Sequence, residues 1–188
     1  MEKIDIENFW NKNFQAEDIQ KYLTTKEVPA KTTLLYEGDV ADNIFIVDKG
    51  SLRLWNNDDG NDITMQFFFE NQIVASFESL YGDQPSNFSI ESMEDTKLRI
   101  LKKSDFERII NNKPEMREFF TQMICKRFID YTHYFLSRIK ENPRDRYGEL
   151  VAKEPKILKR VPQYYIASYL GITPVSLSRI RNKIQKES

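Results

Sequence analysis

Near the start of the chain, apolar residues recur at helical spacing. Phe9, Trp10, Phe14, Ile19 and Leu23 predict a helix over residues 5–25. From about 28 to 102 the period changes. Short runs rich in β-branched and aromatic residues alternate with turn signals: TLLYEGD, NIFIVDKG, SLRLWN, DITMQFFF, NQIVAS, FSIES and KLRIL. Gly38, Gly50 and Gly60 sit between such runs, and Asp59-Gly60 is a strong two-residue hairpin signal. Many short strands with tight turns imply a sandwich or a small barrel.

Helical patterning then returns. Ser104 with Glu107 has the form of a capping box, followed by an apolar face of Phe106, Ile109 and Ile110. Pro114 suits a first helical position, and the helix it opens can run unbroken to about Lys140. That exceeds the roughly 8–20 residues of an ordinary globular helix. Its apolar band is wide enough for one side to cover the strands and another to meet a partner helix. Met116, Phe120, Met123, Arg127, Tyr131 and Tyr134 are the expected partner-facing positions of a parallel dimer. A plain core helix is the alternative. Asn142-Pro143 punctuates the chain, and residues 144–153 predict a further helix.

The sharpest motif lies at 163–184, QYYIASYLGITPVSLSRIRNKI. Ile166 and Leu170 give an apolar face, and Ala167 is small enough for close helix approach. Gly171 stands where a helix C-terminus needs a left-handed residue. Thr173 is a good N-cap and Pro174 a good first residue. Leu177, Ile180 and Ile184 then form a buried stripe, with Ser176, Arg179 and Lys183 facing outward. Helix, short glycine-containing turn, helix is a geometry used to bind DNA. Helical hairpins of this kind also occur as plain structure.

Charge adds to that reading. The 188 residues carry a net charge of −1, but residues 1–140 sum to −6 (18 Lys/Arg, 24 Asp/Glu) and residues 141–188 to +5 (10 Lys/Arg, 5 Asp/Glu). No acid falls between Glu154 and Glu187. A basic module on an acidic body suits a polyanion at one end. The single cysteine, Cys125, excludes an intrachain disulfide and a four-cysteine metal site. Cys125 and His133 are expected to pack rather than to ligate. One histidine, with no P-loop or dinucleotide glycine pattern, argues against an enzyme. The acidic N-terminus does not resemble a signal peptide, no run is long enough for a membrane span, and a cytoplasmic protein is expected.

Two blocks, TLLYEGDVADNIFIVDKGSLRLW and IASYLGITPVSLSRIRNKI, resemble the first barrel strands and the helix-turn-helix of the Crp/Fnr superfamily of bacterial transcription regulators. The resemblance spans about residues 20–186. It implies an α+β chain: a cyclic-nucleotide-binding-type β-barrel (jelly roll), a dimerisation helix and a winged helix-turn-helix. The implied units are residues 1–113, 114–141 and 142–188. It implies double-stranded DNA and a second copy of the chain as partners, RNA polymerase as a further candidate, and no catalysis. Carried onto the second helix of the motif, the DNA-reading positions are Pro174, Val175, Ser176, Ser178 and Arg179. Gln163, Thr173 and Lys183 are placed to hold the backbone. Many members have an Arg-Glu pair where this chain has Pro174-Val175, so their operator sequence is not expected here. Val175 suits a thymine methyl, and Arg179 a guanine or a phosphate.

Members that bind cyclic AMP use a Gly-Glu pair followed by a Pro-Arg-Ser-like end. The matching stretch here, VASFESLYGDQPSNFSI, has Ser76-Phe77 before Glu78 and Pro85-Ser86-Asn87 in place of the arginine. Lys97 is the only cationic residue between Arg53 and Arg99, and a buried phosphate without a cation costs several kcal/mol. The resemblance places an effector pocket at Ser76, Phe77, Glu78, Ser79, Leu80, Ser86 and Asn87, with Asp130 and Tyr131 from the long helix. Asp130 would add a further negative charge. A cyclic nucleotide is therefore not expected, no cofactor is expected, and the effector is an unidentified small molecule or none. The alternative function is a ligand-binding or protein-interaction module with weak or lost specific DNA binding.

Overall fold

A computed structural model describes residues 17–187. It contains α1 (Glu17–Gln20), β1 (Leu23–Val28), β2 (Thr33–Leu35), β3 (Asn43–Lys49), β4 (Leu52–Asp58), β5 (Asn61–Phe68), β6 (Ile73–Val74), α2 (Phe77–Gly82), β7 (Ser89–Ser92) and β8 (Thr96–Lys102). Six helices follow: α3 (Lys103–Asn112), α4 (Pro114–Lys140), α5 (Pro143–Lys153), α6 (Ile157–Arg160), α7 (Gln163–Leu170) and α8 (Pro174–Glu187). The expected α+β class with a jelly-roll front end is what the chain adopts. Two four-stranded antiparallel sheets, ordered β1-β8-β3-β6 and β2-β7-β4-β5, make a sandwich rather than a closed barrel.

Each expected strand run forms. The Asp59-Gly60 hairpin forms as well: both residues have positive φ (49° and 87°), and Asp58 pairs with Asn61 across a two-residue turn. The expected helix over 5–25 lies largely outside the described residues. Within them, Glu17–Gln20 is helical but Leu23–Val28 is a strand. That strand is an edge whose middle residues are exposed, so it lacks an apolar alternation and is held by its pairing with β8. The capping box also fails. Strand β8 runs straight into α3, so the helix opens at Lys103 and Ser104 falls inside it. The Lys103 amide donates instead to the Asp42 carbonyl (2.9 Å). Among the described residues no strand follows Lys102, so the expected wing is not formed. Helix α6 occupies the interval between α5 and the helix-turn-helix.

The long helix starts at Pro114, as expected, and spans 27 residues. Its first turns belong to the sandwich. Met116, Phe119, Phe120 and Met123 are buried with Ile44, Leu52, Phe68 and Leu98 in one apolar cluster. Met116, Phe120 and Met123 therefore do not face a partner: their side of the helix is consumed by the chain's own core. Arg127 also turns inward, where its guanidinium donates to the Ile73 carbonyl.

A second apolar cluster joins the C-terminal helices to the sandwich. Phe69 and Met93 pack with Tyr147, Ile157, Val161, Ile166, Leu170 and Leu177. Polar contacts align the same seam. Arg160 Nη1 and Nη2 reach both oxygens of Glu70 (2.8 Å each), and Nη2 also reaches Glu94 (2.6 Å) and the Gly50 carbonyl (2.8 Å). Arg53 pairs with Asp62 (2.6 Å) and Glu91 (3.0 Å) and lies 3.8 Å from the centre of the Tyr165 ring. Ser168 Oγ accepts from the Thr64 amide (2.8 Å) and donates to the Asp62 carbonyl.

Gly50 is fixed by two constraints. Its φ of +98° lies in the left-handed region, and a Cβ would meet Thr96 Oγ1 at 2.5 Å and the Asp95 carbonyl at 2.8 Å. Gly50→Ala should therefore lower the free energy of unfolding by about 2–3 kcal/mol, read from the urea midpoint. Glu70 gives a second expectation. Burial alone would raise its pKa, but hydrogen bonds from Arg160 and from backbone amides outweigh this and hold it at about 2, against 4.5. A depressed carboxylate stabilises the fold above its unfolded pKa and loses that contribution as pH falls towards the folded value. Stability should thus decline between about pH 4.5 and 2. The Glu70→Gln variant, followed by urea unfolding across that window, should show a shallower decline.

Candidate nucleic-acid interface and ligand pocket

The motif at 163–184 folds as a helix-turn-helix, for reasons local to the sequence. Gly171 ends α7 in the left-handed conformation (φ 67°). Its amide donates to the Ser168 carbonyl (2.9 Å), and the Ile172 amide to the Ala167 carbonyl (3.0 Å). A Cβ at Gly171 would also come within 3.0 Å of Arg138 Nη1. Thr173 caps α8, its Oγ1 accepting from the Ser176 amide (3.2 Å), and Pro174 follows as first residue. Leu177 is fully buried against Ile166, Ala167 and Leu170, with Ile180 and Ile184 packed beside it.

What remains outside is the face that matters. Pro174, Val175, Ser178, Arg179 and Lys183 are exposed, Val175 to 61%. Gln163 is exposed at the start of α7. Ser176 departs from the expected outward stripe: it is half-buried, and its hydroxyl lies 3.0 Å from that of Thr173, within the cap. The motif is braced from behind. Arg138 of α4 donates to the Tyr169 carbonyl, and Arg146 of α5 bridges the Arg138 (3.2 Å) and Leu170 (2.9 Å) carbonyls. Tyr134, expected at a partner interface, stacks on Tyr169 of the same chain (ring centroids 5.3 Å apart).

A cavity of about 490 Å³ opens between α2, β5 and α4. Of the expected effector residues, Phe77, Glu78 and Tyr131 line it. The others do not. Ser76, Ser79, Leu80 and Ser86 are buried in the fold, and the serines satisfy one another and the backbone. Ser86 Oγ donates to the Phe88 carbonyl (2.7 Å) and lies 3.0 Å from Ser76 Oγ, which can donate to it, and Ser79 Oγ accepts from the Ala41 amide (2.8 Å). Asn87 instead holds Glu78 Oε2 (2.8 Å). Asp130 is exposed and pairs with Lys126 at 2.7 Å.

Sequence reasoning missed the other lining residues: Gln66, Tyr81, Ile124, Arg127 and Phe128. The available signal was spacing, since Ile124, Arg127, Phe128 and Tyr131 fall at i, i+3, i+4 and i+7 on one helical face. Burial pulls the Arg127 pKa down to about 10, against an opposing pull from Asp130. Cys125 and His133, expected to pack, are both exposed. No group of three or more His, Cys, Asp or Glu capable of holding a metal occurs among the described residues. No helix among them is long and apolar enough to cross a membrane.

Residues 25–113 match the family model of the cyclic nucleotide-binding domain. No curated protein matches the chain in sequence. Solved structures match over most of its length. CLP of Xanthomonas campestris, described as a c-di-GMP-responsive global regulator, is 15% identical with a TM-score of 0.75, over 91% of this chain and 90% of its own. FixK2 from Bradyrhizobium japonicum is 15% identical with a TM-score of 0.75, over 88% and 85%. A putative Crp/Fnr-family transcriptional regulator from Eubacterium rectale is 21% identical with a TM-score of 0.72, over 95% and 87%. Residues 25–113 are thus similar to the cyclic nucleotide-binding domain, in a chain that shares the fold of these solved structures.

Proposed function

We propose that the protein is a DNA-binding transcription regulator that acts as a homodimer on a near-palindromic operator. The observation that carries this reading is the outer face of α8. Val175, Ser178, Arg179 and Lys183 are exposed on a helix whose opposite face is anchored by the fully buried Leu177. A rigid helix with exposed guanidinium, ammonium, hydroxyl and methyl groups is suited to the major groove. In this reading residues 1–113 sense, 114–141 dimerise and 142–188 bind DNA. The first turns of the long helix seal the sensor core as well.

The dimer seam is read from the exposed part of α4. Cys125, Phe128, Thr132, Phe135 and Ile139 recur at alternating spacings of three and four. Phe128, Phe135 and Ile139 are 70%, 53% and 66% exposed in the single chain. Ile129 and Leu136 flank them on one side, Ile124 and Tyr131 on the other. A stripe of that period is the seam of a two-stranded coiled coil. This seam lies about two turns further along the helix than the positions expected from sequence, because the earlier turns are inside the sandwich. A twofold axis along it would set two recognition helices roughly 34 Å apart, one turn of DNA.

Selection from randomised duplex DNA should enrich a palindrome with half-sites about one helical turn apart. In binding assays with the enriched sequence, Arg179→Ala should cost about tenfold or more and relax preference at one base position. Lys183→Ala should weaken all sequences alike and reduce the salt slope by about one. A folded protein with no enrichment would favour a ligand-binding or interaction module instead. Phe135→Asp should convert the dimer to a monomer in sedimentation equilibrium, since it places like charges opposite one another in the seam.

A further inference from the structure

We propose that the cavity between α2, β5 and α4 binds a small amphipathic carboxylate, with Arg127 holding the carboxylate and the aromatic walls holding the apolar body. The inference rests on the regulator reading, for which this cavity is the sensing site, and names the chemistry that it senses. The three arginines at the sandwich edges supply the contrast. Arg53 lies between Asp62 and Glu91, and Arg160 between Glu70 and Glu94. Arg127 is half-buried and has no carboxylate within ion-pairing distance among the described residues. Its recorded partners are the Ile73 carbonyl and the Phe68 ring, 5.1 Å from the guanidinium. The one acid near it on its own helix, Asp130, is engaged by Lys126.

A half-buried guanidinium with one neutral hydrogen bond and no ion pair keeps donors available for an anion. The walls beside it are Phe77, Tyr81, Ile124, Phe128 and Tyr131. Such walls reward an aromatic or aliphatic body and leave sugar hydroxyls without partners. One guanidinium balances one negative charge, and its planar fork matches a carboxylate. Glu78 lies at the same cavity and sets a further negative charge against a ligand of higher charge. About 490 Å³ is within the range of small organic ligand sites. Phe128 belongs to the proposed seam and Ile124 and Tyr131 flank it, so an occupant would touch the surface where two helices meet.

Calorimetric titration of the full chain with hexanoate, octanoate, decanoate and phenylpropionate tests this, with the corresponding neutral amides and cyclic AMP as comparisons. At least one carboxylate should bind with Kd below about 100 µM, and its amide at least about tenfold more weakly. Arg127→Gln should weaken the carboxylate by about tenfold or more and leave the amide unchanged, while Arg127→Lys keeps part of the preference. If Arg127→Gln does not fold, the acid-to-amide ratio on the native chain and on Arg127→Lys decides. Failure of the whole series to bind, equal affinity for acid and amide, or tighter binding of cyclic AMP would overturn the proposal. DNA selection on the same preparation separates the two readings. Enrichment without carboxylate binding removes only this inference; carboxylate binding without enrichment removes the regulator reading.

Discussion

The arrangement of the molecule depends on one guanidinium. Arg160, on the four-residue helix α6, bonds two carboxylates and a backbone carbonyl of the sandwich. A charge in that half-buried position is tolerable only when paired on several sides. Glu70, Glu94 and Gly50 supply those sides, and Gly50 reaches the site only because its left-handed backbone brings its carbonyl into line. The apolar cluster of Phe69, Met93, Ile157 and Val161 is buried at the same seam, but apolar burial is non-directional. The charged contacts select one angle at which the C-terminal helices sit on the sheet.

From that angle the rest follows. Ser168 meets the backbone of β5, Tyr165 covers Arg53, and Tyr169 lies between Phe67 and Tyr134. The first helix of the helix-turn-helix, α7, is thus shared among several neighbours. One side packs on α8, another on the sheet containing β5, and its last carbonyls are bound by arginines from α4 and α5. A ligand-dependent change in the long helix would reach α7 through contacts already made.

The sequence was most legible where local chemistry decides structure. Asp59-Gly60, Pro114, Gly171 and Thr173 each carry a backbone requirement that few residues meet, and each turn or cap formed as expected. It was least legible where a distant partner decides. The polar residues of β1 are a strand because β8 lies beside them. Met116 and Met123 face inward because a sandwich occupies that side of the helix, and periodicity alone cannot say which of two apolar faces meets which surface. Of the expected pocket residues only Phe77, Glu78 and Tyr131 line the cavity, for a similar reason. The serines around 76–86 have the composition of a binding loop, yet their hydroxyls are spent on one another. Arg127 has the composition of a solvated helix face and is enclosed by β6 and Phe68.

The 27-residue length of α4 has a mechanical consequence. At 1.5 Å per residue the helix is a rod about 40 Å long. Its first turns are clamped in the sandwich, and near its far end Arg138 grips the end of α7. A tilt of only about 5° over that length displaces the far end by roughly 3–4 Å, about the 3.4 Å that separates neighbouring bases along a DNA strand. Arg127 lies about halfway along the rod, so a displacement of roughly 2 Å beside it is doubled at the far end. In the proposed dimer on DNA, such a tilt would shift α8 relative to the major groove without any unfolding.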